Sequence, residues 1–183
     1  MIAKRGDRFL VVDLEATCGQ RKLRNEMIEI GCVLYEFGAG IISEWNSFVR
    51  PILNPTLTKF CRGLTHIEQS DVDSADYFPV ALHNLTSWLS DFGDMKFCSW
   101  GDYDRHQFRW DCTLHSMKLP VVFRKGNHIN LKKEFAIFTN SKSKGLSRAL
   151  NTVGFKFNGS KHRAIYDARN TVPLLDYILE EGD

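Results

Sequence analysis

The run Phe9-Leu10-Val11-Val12-Asp13-Leu14-Glu15-Ala16-Thr17 constrains this chain more than any other stretch. Its four apolar residues, two of them β-branched, are too few for a helix and read as a strand buried on both faces. Side chains alternate along a strand, so Asp13 and Glu15 point to one face. Two neighbouring carboxylates resist joint ionisation, and burial raises their pKa values further. A divalent cation resolves that conflict, and hard oxygen ligands suit magnesium or manganese. The plainer alternative is a strand that runs out into solvent, where both acids are ordinary.

With 183 residues, 43% of them hydrophobic, the chain is expected to form one domain over 1–183 with a substantial core. No apolar run approaches the ~18 residues of a membrane span, so no membrane partner is expected. The start, Met-Ile-Ala-Lys-Arg-Gly-Asp-Arg, lacks the apolar stretch of a signal peptide. Cys18, Cys32, Cys61, Cys98 and Cys112 are odd in number and never form a C-x-x-C. That argues against a zinc site or a disulfide framework, and for free thiols in the cytoplasm.

The net charge of +2 conceals an asymmetry. Between Met117 and Arg163 stand eleven Lys/Arg and one acid, Glu134, so this segment carries +10 and the remainder −8. Such a block is either an electrostatic footprint for a polyanion or a solvated surface.

The pattern predicts further strands over 27–35 and 41–49, joined by a glycine turn into an antiparallel meander with the first. Glu29 interrupts the apolar character of the second. A short helix and turn over 56–67 would bury Leu57, Phe60, Cys61 and Leu64. A longer helix from about 76 carries Leu82, Leu85, Trp88, Leu89 and Phe92 at helical period and ends at Gly93. A strand at 96–100, a turn, a helix over 105–117, and a strand at 128–131 running into a helix through Phe138 follow. The last helices span 146–153 and 164–179, the second with a kink expected at Pro173. This succession predicts an α/β fold, a mixed sheet of about five strands covered by helices.

Sites in such sheets gather beyond strand ends. Asp13 and Glu15 end one strand, Asp104 follows another, and His162 and Asp167 flank the start of the last helix. Singly, each has an ordinary reading. Asp167 would complement a helix dipole, and His162 would be a surface residue of the Lys161-His162-Arg163 run.

In combination, Asp-x-Glu near the start, an Asp after a middle strand and His-x4-Asp near the end resemble the DEDD-h 3′→5′ exonucleases. The chain is most similar to their branch of histone-mRNA and small-RNA exonucleases with bacterial sporulation-inhibitor relatives. Asp13-Leu14-Glu15-Ala16-Thr17-Cys18, Phe48-Val49-Arg50-Pro51, Phe60-Cys61, Leu64-Thr65-His66-Ile67, Val72-Asp73-Ser74-Ala75, Asn130-Leu131-Lys132-Lys133 and the segment from Leu146 to Asn170 carry that likeness. Two positions depart from it. The branch usually has Gly where His66 stands, a turn position, and often Trp where Tyr103 stands. Asp104 rather than Asp102 fits the family spacing, with Phe108 four residues on.

The resemblance implies a ribonuclease H-like fold and hydrolysis of nucleic acid from the 3′ end to nucleoside 5′-monophosphates. RNA is the favoured substrate, as a single-stranded 3′ end. It implies two Mg2+ ions, with Mn2+ as a substitute, on Asp13, Glu15, Asp104 and Asp167, and His162 as general base. Thr17, Tyr103, Lys142, Lys144 and Arg148 are the expected substrate contacts. Action mainly on single-stranded DNA or short oligonucleotides is the alternative activity. A catalytically idle nucleic-acid-binding module is the alternative of another class, disfavoured because all five motif residues are present.

Overall fold

The computed structural model describes residues 3–19 and 24–180. The middle of the polar connection expected between Cys18 and Asn25 lies outside the described residues. Strands β1 (Arg8–Ala16), β2 (Met27–Glu36), β3 (Gly40–Phe48), β4 (Lys96–Ser99) and β5 (His128–Asn130) form one sheet of order β3-β2-β1-β4-β5. The first three make the expected antiparallel meander, whereas β4 runs parallel to β1 and β5 parallel to β4. The mixed α/β sheet has the ribonuclease H-like form.

Around it lie α1 (Lys59–Thr65), α2 (Gln69–Asp73), α3 (Phe78–Leu89), α4 (Tyr103–Leu114), α5 (Leu131–Phe138), α6 (Leu146–Thr152) and α7 (Ala164–Glu180). The alternation along β1 sorts the core into two layers. Phe9 and Val11 pack with Val33, Leu174 and Leu175 under α7, and Leu10, Val12 and Leu14 pack with Leu82, Leu85 and Phe108 under α3 and α4. Burying each such side chain contributes about 1.5–3 kcal/mol, which fixes the register of the central strand. Asp13 and Glu15 share the parity of Phe9 and Val11, so they emerge on the α7 side.

Gly31, paired with Asp13 in the β1–β2 register, admits the first turn of α7. A Cβ there would stand 2.3 Å from the backbone of Ala164 and Ile165. Any side chain at this point would lift α7 away from the end of β1.

Several boundaries differ from expectation. α4 begins at Tyr103, which puts Asp104 inside its first turn, where an acid meets unpaired backbone N–H groups. α3 stops at Leu89, short of Gly93. α2 is a separate short helix that the hydrophobic pattern did not resolve. Phe60 is 63% exposed, because α1 turns Cys61 and Thr65 inward and leaves Phe60 outside. Pro173 lies inside α7, which runs through it to Glu180. Among the described residues no helix is long and apolar enough to cross a membrane.

Candidate active site

Carboxylate oxygens of Asp13, Glu15 and Asp167 lie within 4.8 Å of one another. The first two come from the end of β1 and the third from the first turn of α7. Burial, then the repulsion of Asp104, Asp167, Glu15 and Glu29, holds the Asp13 carboxyl well above the usual carboxylate range. Burial and then Asp167 push Glu15 up to about 8. Asp167 is also raised by burial, although backbone N–H bonds from His162 and Arg163 oppose the rise.

Asp104 stands beside Asp13 but outside the close group. Burial pushes its pKa up to about 7, against hydrogen bonds from its own backbone N–H, the Ser99 side chain and the Leu14 backbone. Pairing of β1 with β4 stops at Val11, and Asp104 takes up the strand edge beyond it. Asp102 has a different setting: its side chain is 53% exposed. Its Oδ2 accepts from Asn130 Nδ2 at 2.8 Å. Slight burial would raise its pKa, but Asn130, His128 and Arg105 together lower it. Of the two acids in the middle motif, Asp104 is the one buried at the cluster.

A divalent cation fits this group. Its donors are all hard carboxylate oxygens, their mutual repulsion leaves them short of positive charge, and Asp167 Oδ2 is buried with no hydrogen-bond partner.

The elements that bring Asp167 to β1 were not recognised in the sequence. Glu29, with 0% exposure, accepts from Arg163 Nε at 3.1 Å, Arg163 Nη2 at 3.2 Å and the Ala164 backbone N–H at 3.0 Å. Asn46 Nδ2 donates to its Oε1 at 3.2 Å. A carboxylate on the first N–H of α7 complements the helix dipole as well as a free donor. Asn170 ties the preceding loop to the helix: its Oδ1 accepts from Asn158 N at 2.8 Å and its Nδ2 donates to Asn158 O at 2.7 Å. That loop presents His162, exposed and at φ 58°, a left-handed conformation unusual for a residue other than glycine. A charged residue and a glycine within the apolar run 27–35 were the available signals.

The expected substrate contacts separate. Tyr103 is half exposed at the start of α4, beside Asp104. Trp100, just past the end of β4, donates from Nε1 to Lys144 O at 3.1 Å and so ties the basic loop to that strand end. Lys144 Nζ donates to Thr152 Oγ1 at 3.2 Å, while Lys142 and Arg148 are exposed. Thr17 requires correction. It is 0% exposed, and its hydroxyl oxygen accepts from the Glu26 backbone N–H at 3.0 Å, so it closes the strand end rather than facing a ligand.

A ribonuclease H-like sheet with acids at the end of β1, after β4 and in the first turn of the last helix defines the DEDD-h class. The exonuclease family model (RNase_T) matches residues 10–175, and the chain belongs to that family. It is 31% identical to ERI1 exoribonuclease 2 of Danio rerio, over 95% of this chain and 35% of the relative. It is 30% identical to 3′-5′ exonuclease eri1 of Schizosaccharomyces pombe, over 95% of this chain and 68% of the relative. The solved nuclease domain of 3′hExo, a DEDDh family member bound to rAMP, superposes with a TM-score of 0.90 at 28% identity. That match covers 97% of this chain and 94% of the other. The chain spans about a third of the length of the ERI1 exoribonuclease 2 relatives it matches.

Proposed function

We propose that this chain is a metal-dependent 3′→5′ exonuclease that hydrolyses RNA from a single-stranded 3′ end to nucleoside 5′-monophosphates. The carrying observation is the meeting of Asp13, Glu15 and Asp167 within 4.8 Å, with an unpartnered buried oxygen on Asp167. RNA is favoured because relatives are named exoribonucleases and a solved neighbour carries rAMP. One exonuclease domain over 1–183 is the simplest organisation. The free cysteines suit a reducing cytoplasm.

Asp13, Glu15 and Asp167 would hold one Mg2+, and Asp13 with Asp104 a second, Mn2+ being a substitute. Bound divalent ions supply Lewis-acid stabilisation of the developing phosphorane charge and acidify the attacking water. The chain supplies the rest. His162, in the loop before α7, would take the proton of the attacking water on an imidazole nitrogen. Tyr103 offers a stacking surface beside Asp104, and Lys142, Lys144 and Arg148 meet phosphates without reading sequence.

The test uses matched RNA and DNA strands labelled at the 3′ end, with Mg2+ or EDTA. Mononucleotides should leave the 3′ end of RNA only with metal. Release from the 5′ end, or with EDTA, overturns the proposal. His162→Asn should bind RNA in Ca2+ as wild type does, yet turn it over about 10²–10⁴-fold more slowly in Mg2+. Near-normal turnover at saturating RNA removes His162 from the mechanism.

A further inference from the structure

Tyr103 is the first of a line of side chains along α4. Tyr103, His106, Gln107 and Trp110 follow one another at three- and four-residue steps, so they share one face of the helix. With Arg24 and Asn25 they line a groove of about 200 Å³ that begins beside Asp104.

Most polar groups here are already engaged. Gln107 Nε2 donates to Asn25 O at 2.8 Å and to Asp111 Oδ2 at 2.6 Å. Glu26, close to Arg24 in the chain, is buried and accepts backbone N–H bonds from Ile52, Leu53 and Asn54 at 2.7–2.8 Å. Arg24 differs. Its guanidinium carbon lies over the Trp110 ring, 4.3 Å from the centroid, and its backbone O accepts from Asn54 Nδ2 at 2.9 Å. The side chain is exposed, and no carboxylate among the described residues forms an ion pair with it. A guanidinium stacked on a ring keeps its N–H edge for an anion, and that edge matches a phosphodiester. Trp110 Nε1 is buried without a hydrogen-bond partner, so the indole contributes its face, and that face holds Arg24.

Tyr103 and Trp110 stand seven residues apart, about 10 Å along the helix axis. A strand whose 3′-terminal base lies on Tyr103 continues only toward its 5′ side. What reaches Arg24 is therefore an upstream nucleotide.

We propose that Arg24, held over Trp110, forms a second nucleotide subsite for the single-stranded substrate. The Arg24 N–H edge takes the phosphate of a nucleotide upstream of the 3′ end, and Trp110 is the positioning residue that presents it. The inference rests on the reading of the chain as a 3′→5′ exonuclease with Tyr103 at the terminal base. It uses none of the residues of the basic loop.

The experiment measures binding in Ca2+ of AMP and of 5′-phosphorylated oligoadenylates two to five residues long. In wild type, affinity should rise at least about tenfold from AMP to the trinucleotide. Arg24→Gln should lose most of that rise, bind AMP within about twofold of wild type, and lower the salt slope for the trinucleotide by about 0.7. Arg24→Lys should behave like Arg24→Gln, because an ammonium keeps the charge but lacks the planar fork. Trp110→Phe should retain a rise that Trp110→Leu loses, which separates presentation of the cation from filling of space. Affinity independent of length in wild type, an equal loss for AMP and trinucleotide in Arg24→Gln, or a full rise in Arg24→Lys overturns the proposal. Arg24 is exposed, so its two variants decide the matter even where Trp110→Leu does not fold. Release of mononucleotides from the 3′ end by wild type in Mg2+ tests the activity separately. Intact release with any of the overturning results removes the subsite alone, and a length-dependent rise without release removes the exonuclease reading.

Discussion

Glu15→Gln should stabilise the metal-free protein while abolishing its activity. Burial and neighbouring acids raise the Glu15 carboxyl from an ordinary 4.5 to about 8. The folded state therefore binds more protons than the unfolded state between those values, and stability rises as pH falls through that window. At pH 7 the folded carboxyl is held protonated about 2.5 pH units above its unfolded value. At about 1.4 kcal/mol per unit the cost is about 3 kcal/mol. Glutamine keeps the shape and removes the ionisation, so the expected gain is about 2–3 kcal/mol. For a chain of this size that is about 4–12 °C in Tm. The assay is urea or thermal unfolding in EDTA at pH 5 and pH 7.5. Wild type should be more stable at pH 5 than at pH 7.5, and Glu15→Gln should narrow that difference. With Mg2+ the order should reverse at pH 7.5, because only wild type keeps the full ligand set. A variant no more stable than wild type in EDTA at pH 7.5 refutes the claim that Glu15 is held against its charge.

Asp104→Asn should reduce nucleotide release at least about 100-fold, whereas Asp102→Asn should stay within about tenfold of wild type at saturating metal. The opposite ranking in a release assay means that the middle acid has been misassigned. Replacing Lys142, Lys144 and Arg148 with Ala should flatten the plot of log affinity against log salt for single strands by about 0.7 per lost contact. An unchanged slope makes the loop solvated surface. His66 caps α1 at φ 57°, ψ 24°, so His66→Gly should stabilise by about 0.5–1 kcal/mol in urea unfolding. No gain means that the turn carries no strain.

What the sequence revealed and what it hid follow from the range of the contacts involved. The face shared by Asp13 and Glu15 was legible because the strand period is two and needs no partner. The antiparallel meander was legible because short turns join neighbouring strands. The role of Glu29 was not, since its partners Arg163 and Ala164 lie more than 130 residues away. Alone it reads as a flaw in an apolar strand. Gly31 reads as a weak strand residue until α7 is laid across it. Thr17 matched the opening motif, but only the Glu26 backbone shows that its hydroxyl oxygen is already engaged. Phe60 fitted an apolar face because a seven-residue helix leaves little period to judge by.

The cluster poses a physical problem that these hidden residues answer. Asp13, Glu15, Asp104 and Asp167 repel one another, and nothing in their own contacts brings Asp167 to β1. The approach is enforced from outside. Gly31 removes the side chain that would keep α7 away, and Glu29 grips the first N–H of that helix together with Arg163. Asn170 pins the loop that carries His162 to the same helix. A buried carboxylate left without its cation costs several kcal/mol, so the Glu29–Arg163 pair resists release. The helix end therefore stays in place when the acids push against it. A cation then enters a site whose ligands are already assembled, and its binding free energy need not be spent on moving α7. That is why the preorganising residues lie on β2 and in the loop before α7, while the charged groups they hold together lie at the end of β1 and in the first turns of α4 and α7.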